Sequence, residues 1–386
     1  MSSPLAPAKS DWNPRLLHPL MGADLVTLAR VLVANGGVAP RCLPHAAVAI
    51  ATALARLPFT AIEQFRLDQL RRQYQEQLAQ EQLTHAARPP IFIVGHWRSG
   101  TTFLYEILCR SSQFSYVSPF AVGLPWDFLT LTQWFGHWLE RSLPADRFID
   151  SMQVNPDSPQ EDEIGLASMQ SVSFYHGLYF PKHLKSNFDA GIFFDHCTPA
   201  QVDTWQRVTQ YFFEKVQLQH PGKTLLIKNP VYTARVAMLR HMFPDAKFVH
   251  IYRNPYVVYQ STRNFYRKLF RELALQPFDL AVVEDLILES YPRMMDAVQH
   301  DSRQLASNQF FEIQFEAFEQ DPIGHIQTLY ERLELDGFDA AQPKFQDYLS
   351  ANQRYQKNRY VFSPEDADRV YQHWGRFIDQ WKYRCP

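Results

Sequence analysis

The sequence predicts an α/β fold: three layers around a central parallel sheet, preceded by an N-terminal helical extension. Three observations predict it. First, short apolar runs at Ile91–Val94, Leu225–Lys228 and Lys247–Tyr252 stop abruptly at Gly95, Asn229-Pro230 and Arg253-Asn254-Pro255, as buried strands do. Second, helical spacing follows the first and third runs, in Phe103, Leu104, Ile107 and Leu108 and then in Val257, Val258 and Ser261. Third, a chain of 386 residues with 46% hydrophobic and 20% charged residues can fill one large α/β domain with additions and is not disordered.

The elements follow in order. Met1 to Arg15 is polar and proline-bearing, without the basic start and apolar run of a secretory signal. Cys42 to Ala55 is the most apolar window, but fourteen uncharged residues fall short of the ~20 that cross a bilayer. A buried helix is the favoured reading over an interfacial one. Leu25, Leu28 and Leu32 form a similar stripe upstream, so the first sixty residues read as two short helices. Gln64 to Leu83 is polar and lacks Gly and Pro, which reads as a helix leading into the main fold, and Ala86-Ala87-Arg88-Pro89-Pro90 breaks it. The expected division is therefore 1–86 for the helical extension and 87–386 for the α/β domain, with a helical, aromatic-rich insert at 113–220.

Composition narrows the function. Lys+Arg 38 against Asp+Glu 40 gives a formal charge of −2, which leaves no basic field for nucleic acid. Cys42, Cys109, Cys197 and Cys385 lie far apart, which excludes a disulfide scaffold or a zinc finger and points to a reducing, cytoplasmic setting. The unusual quantity is a 14% aromatic fraction, with 29 Phe, 18 Tyr and 8 Trp.

The first motif is Gly95-His96-Trp97-Arg98-Ser99-Gly100-Thr101-Thr102 between a strand and a helix. That arrangement is P-loop-like: backbone N–H groups and the positive helix end converge on an anion. The residue after the second glycine is Thr101, where a nucleotide triphosphatase carries lysine. The cation is instead Arg98, inside the loop. A guanidinium grips a terminal anionic group by two hydrogen bonds without metal help, which suits transfer of a singly charged group such as a sulfuryl. No metal is therefore expected.

The second motif is Arg253 at a strand's carboxyl end with Ser261 two turns into the next helix, where both could reach another phosphate. Arg263, Arg267 and Arg271 make a basic stripe on that helix, read as a solvated face. Lys228 ends a third strand, so three strands deliver Arg98, Lys228 and Arg253 to one sheet edge.

With these residues in view, the chain resembles the sulfotransferases that use 3'-phosphoadenosine 5'-phosphosulfate (PAPS), in particular a bacterial branch with an N-terminal helical extension. Residues 90–108 are similar to that family's 5'-phosphosulfate loop and residues 247–261 to its 3'-phosphate motif. The resemblance covers about Pro89 to the end of the chain. It implies that Arg98, Ser99, Gly100, Thr101 and Thr102 bind the phosphosulfate, and that Arg253 and Ser261 bind the 3'-phosphate. It also implies a late basic segment over that phosphate, for which Lys357 and Arg359 are the candidates, with an exposed turn as the equal alternative. The Lys-Thr-His that supplies a histidine base in the cytosolic branch is here Lys228-Asn229-Pro230.

The replacement base is sought in Ser158-Pro159-Gln160-Glu161-Asp162-Glu163, read as a helix start with acids in its first turn. An apolar stretch from Ile164 to Met169 follows, so burial and like-charge neighbours can raise a carboxylate pKa toward general-base range. Glu161 and Glu163 are the candidates, and sequence does not separate them. Tyr232, with an ordinary pKa of ~10, is a poor base. His96 and His250 read as structural, and core packing is favoured for His176 and His183. Arg98 and Lys228 would stabilise charge on the transferred group.

Two aromatic clusters, from Phe114 to Trp138 and from Phe174 to Phe194, lie between the motifs and suggest a hydrophobic hydroxyl acceptor: a phenol, a sterol-like alcohol or a lipid. The N-terminal helices could in addition touch a membrane surface peripherally. The rival readings are a P-loop nucleotide kinase and a non-catalytic nucleotide-binding or membrane-surface module. Oligomeric state is not legible.

Overall fold

The computed structural model describes Pro14 and residues 18–80, 88–141, 155–352 and 362–386. The expected boundary at 86/87 lies outside these residues, as do Lys357 and Arg359. Five strands form one parallel sheet: β1 (Ile91–Val94), β2 (Phe114–Ser115), β3 (Thr224–Lys228), β4 (Lys247–Tyr252) and β5 (Phe310–Gln314). Their order is β2-β3-β1-β4-β5, with Ile91 opposite Leu226 on one side and Lys247 on the other. The three strands expected from sequence are thus adjacent at the centre. β1 lies where the chain leaves toward β2 and later crosses to β4, the switch point at which open parallel sheets bind ligands.

Both faces of the sheet are covered, which explains why its strands are apolar without alternation. Ile91, Ile93, Val249 and Ile251 pack with Leu104, Ile107 and Phe318 on one face. Phe92, Val94, Ile227 and Phe248 pack on the other, with Phe213, Tyr232 and Val298. Leu20, Leu28, Val31 and Leu67 of the N-terminal region join that second core. After β2, the described residues between β2 and β3 form helices, ending in the helix Pro199–Gln219 that Thr198 and Gln201 close with a capping box.

Two local expectations need correction, besides the buried helix expected at Cys42–Ala55, where Leu43, Ile50 and Leu54 are exposed. The apolar window and the polar segment after it are one helix, Leu43–Gln80, with Pro58 inside it. Tertiary anchors carry it through the proline. The buried Arg56 pairs with Asp127 and donates to the carbonyls of Met21 and Ala23. About two turns later, Glu63 accepts from the backbone N–H groups of Leu129 (3.0 Å) and Thr130 (2.7 Å), capping the helix Phe128–Glu140 from outside. It also pairs at 2.6 Å with Lys215, whose ammonium donates to the carbonyls of Pro125 and Trp126. The second correction concerns Pro159, which does not start a helix. Gln160 N–H donates to Val117 O (2.9 Å), holding the segment extended, and the helix Asp162–Leu166 begins after Glu161.

Candidate active site

Backbone geometry shapes the loop after β1. Gly95 (φ +146°), Arg98 (φ +70°) and Gly100 (φ +103°) turn the chain back into the helix Thr101–Leu108. A Cβ on Gly95 would lie 2.3 Å from Ile251 O, and one on Gly100 would lie 2.1 Å from a ring carbon of Phe315. Only glycine fits either place. Arg98 takes a left-handed conformation with a side chain, which costs about 1–2 kcal/mol and is characteristic of ligand-holding turns. Gly95 N–H donates to Thr233 Oγ1 (2.7 Å), which ties the loop to the turn after β3.

The two motifs meet. Arg98 Nε donates to Ser261 Oγ at 2.8 Å, and Arg253 Nη1 to Arg98 O at 3.4 Å. Ser261 comes from the helix Pro255–Leu273, whose first turn Asn254 caps through Tyr256 N–H. Arg253 lies over the Phe315 ring at 4.5 Å, the ring that also floors Gly100. Ser99 is buried, and its hydroxyl has no hydrogen-bond partner among the described residues. A buried, unsatisfied hydroxyl in a glycine cradle beside two guanidinium groups fits an anionic group carrying several acceptor oxygens.

Lys228 stands at the end of β3, beside the loop. Its Nζ donates to Thr102 Oγ1 at 3.3 Å and forms an ion pair with Glu161. The three consecutive acids then part. Glu161 keeps partial exposure, whereas Asp162 and Glu163 are wholly buried. Asp162 accepts from Tyr232 OH and from Asn229 Nδ2 (3.0 Å), and Glu163 accepts from Ser173 Oγ (2.7 Å) and Asn229 Nδ2 (3.4 Å). Burial above all, with Glu163 as a like-charged neighbour, raises the Asp162 pKa from 3.8 to about 8. Burial raises that of Glu163 too, against the opposing pull of Arg235. Arg235 is itself buried, donates from Nε to Ile192 O (3.0 Å) and stacks on Phe194 and Trp205.

Of the residues expected from sequence, the structure brings Arg98, Ser99, Gly100, Thr101, Thr102, Arg253 and Ser261 to one edge. Lys228 and Glu161 stand next to Thr102. Glu163 turns away into the protein. The network of Asp162, Asn229, Tyr232 and Arg235 was missed as a unit. Its only sequence signal was three acids ahead of an apolar run, and its cation and its hydroxyl, Arg235 and Tyr232, come from about seventy residues further on.

His96 and His176 are buried against carbonyls, at Trp97 O (3.0 Å) and at Ala167 O (2.8 Å), and burial lowers the pKa of each. His250 Nδ1 pairs with Glu312 at 2.8 Å, and His183 is exposed. Arg263 of the basic stripe is not simply solvated: it faces Asp366 at 3.4 Å and Glu284 at 3.7 Å. Many of the aromatics are core. Phe128, Phe174, Tyr175, Tyr179 and Phe180 are buried, Tyr116, Phe120 and Trp126 are partly exposed, and Trp134 and Phe135 face solvent.

Comparison with known proteins finds relatives of this chain. The model of the sulfotransferase family matches residues 89–340. The omega-hydroxy-beta-dihydromenaquinone-9 sulfotransferase Stf3 of Mycobacterium bovis is 32% identical over 300 residues, covering 78% of this chain and 76% of that protein. The same enzyme of Mycobacterium tuberculosis matches equally. Among solved structures, the sulfotransferase STF9 of Mycobacterium avium superposes with a TM-score of 0.64 at 14% identity, covering 94% of this chain and 97% of that one. STF1 of Mycobacterium tuberculosis gives 0.58 at 16% identity, covering 92% and 90%. Those two share the fold. On the family match and the identity to Stf3, with the loop and its partner strand in place, the chain belongs to the sulfotransferase family.

Proposed function

We propose that this chain transfers the sulfuryl group of PAPS to a hydroxyl of a hydrophobic, lipid-like alcohol, with Glu161 as the base. The observation that carries the proposal is the Glu161–Lys228 ion pair beside Thr102, at the mouth of the loop. It holds a carboxylate with partial solvent access one side chain away from the anion cradle. The loop residues Arg98, Ser99, Gly100, Thr101 and Thr102 would bind the phosphosulfate, and Arg253 and Ser261 the 3'-phosphate.

The donor supplies a sulfur already bonded to a good leaving group. Glu161 takes the acceptor's hydroxyl proton as the acceptor oxygen bonds to sulfur. The bond from sulfur to the bridging oxygen breaks, and adenosine 3',5'-bisphosphate departs with that electron pair. Lys228, released from Glu161 as the carboxylate is protonated, offers its charge to the bridging oxygen, and Arg98 offers its own to the sulfuryl oxygens. The named acceptor of the mycobacterial relative, a hydroxylated menaquinone, favours a lipid alcohol over a sugar. A nucleotide kinase fits less well, because Thr101 stands where its lysine would be.

Two measurements test the reading. Adenosine 3',5'-bisphosphate should raise the melting temperature and ATP with magnesium should not; no shift with the bisphosphate refutes the donor. Bisphosphate release across an acceptor panel should be fastest with long-chain alcohols, and turnover on polysaccharides alone refutes the acceptor.

A further inference from the structure

Among the described residues, the ion pairs that anchor the helix Leu43–Gln80 lie on one side. Its inner face is fixed by Arg56 on Asp127 and by Glu63 on Lys215. Its outer face carries no charge from Leu43 to Ala61. Leu43, Ala47, Ile50, Leu54, Leu57 and Ala61 follow one another at three- and four-residue spacing, and every one is exposed. Phe65, 65% exposed, continues the row. At 1.5 Å per residue the apolar row from Leu43 to Phe65 is about 33 Å long. The helix Phe128–Glu140 extends it sideways. Phe59 meets Trp134 and Phe135 edge-on at 6.1 and 5.8 Å, and Trp134 and Trp138 are 54% and 67% exposed. A continuous apolar face of this length on a soluble surface calls for an occupant.

Charge and residue type say which. Between Leu25 and Ile62 the sequence contains no acid. Its exposed charged residues, Arg30 and Arg41, are both cations. Tryptophan at the margin of an apolar helical face, beside a stretch whose exposed charges are all cations, is the chemistry of the headgroup boundary of an anionic bilayer. The helix is long and apolar enough to cross a membrane by composition, but its anchoring carboxylate and guanidinium fix its inner face to the protein. A second copy of the chain is the other occupant to consider. Paired helices want a narrow seam flanked by charged positions, whereas here Pro44, Ala51, Ala55 and Pro58, beside the row, are exposed and uncharged.

We propose that this face docks on an anionic membrane surface, with the helix Leu43–Gln80 lying in the plane of the interface and Trp134 and Trp138 at headgroup depth. The proposal does not rest on the donor or the acceptor, because docking needs neither. The full chain is sedimented with vesicles of phosphatidylcholine and of an equal mixture with phosphatidylglycerol. The expected result is strong binding to the mixture and weak binding to phosphatidylcholine alone. The triple variant Ile50→Gln, Leu54→Gln, Trp138→Gln should lose on the order of 100-fold in vesicle affinity while keeping its melting temperature. Should the variant fold poorly, the unaltered protein decides. Bromine-labelled lipid tails should quench part of its tryptophan emission, because Trp134 and Trp138 face outward while Trp205 and Trp374 are buried. Absence of both sedimentation and quenching overturns the proposal. So does a dimer in solution that the triple variant dissociates without any vesicle binding.

Discussion

At Glu161 the backbone is extended (φ −78°, ψ 130°), and at Asp162 it turns helical, so consecutive carboxylates are delivered to different media. Glu161 meets Lys228 at the loop, while Glu163 lies among Ser173, Asn229 and Arg235. The expected consequence is a split between two variants that remove one charge each. Glu161→Gln should lower kcat by roughly 10²–10⁴-fold, the span of a lost general base, with bisphosphate affinity nearly unchanged. Glu163→Gln should act mainly on stability, through a buried hydrogen-bond set tuned to its carboxyl. Steady-state kinetics with thermal melts on both variants would separate them. Equal loss of kcat in the two, at unchanged melting temperature, would sink the assignment of Glu161. Sequence carried the argument as far as the trio of acids, because first-turn acids ahead of an apolar run can be recognised locally. It could not choose among them, since the choice is made by Lys228 and Asn229, more than sixty residues away.

At the scale of elements, the strands were the most legible part. β1, β3 and β4 are short, apolar on both faces and stopped by Gly95, Asn229 and Arg253, so local chemistry marks their ends. β5 is weaker in sequence: Phe310, Phe311 and Glu312 are not fully buried, and its pairing with β4 is what defines it. The long helix reads as separate pieces because Arg56 ends the apolar window and the chain turns polar from Gln64. Pro58 and Arg56 are tolerated through contacts that sequence does not display. Glu63 is the clearest of these, since one carboxylate caps a neighbouring helix and neutralises the buried Lys215. Glu63→Leu should therefore destabilise the protein by about 3–5 kcal/mol, because it strands a buried ammonium and two backbone N–H groups. The pair of changes Glu63→Leu and Lys215→Met should recover part of that loss by removing the stranded charge. Urea unfolding of the single and double variants measures both. A loss below about 1 kcal/mol for Glu63→Leu, the level of an exposed pair, would show that the helix is held by apolar contact alone.

For the molecule as a whole, the buried titrating groups set a window of stability in pH. His18 and His96 are neutral in the fold, with pKa values lowered by burial from 6.5 to about 4. A histidine depressed in this way contributes stability that is present above 6.5 and is lost as pH falls toward 4. His176 acts in the same direction. Asp162 acts oppositely. Its folded pKa of about 8 lies above the ordinary 3.8, so its contribution is complete below that lower value and is lost as pH rises through 8. Above 6.5 the histidines are neutral in both states and no longer offset Asp162, so the melting temperature should fall between pH 6.5 and 8. Asp162→Asn keeps a partner for the hydroxyl of Tyr232 and removes the proton that titrates. That variant should lose less melting temperature than the unaltered protein from pH 6.5 to 8, with Glu163, also raised by burial, left to titrate, while still losing stability on the acid side. Melting curves of the two proteins across pH 5 to 8.5 provide the test. An alkaline fall of the same size in Asp162→Asn would place its origin outside this carboxylate, and with it the claim that the acid beside the candidate base is kept protonated by burial.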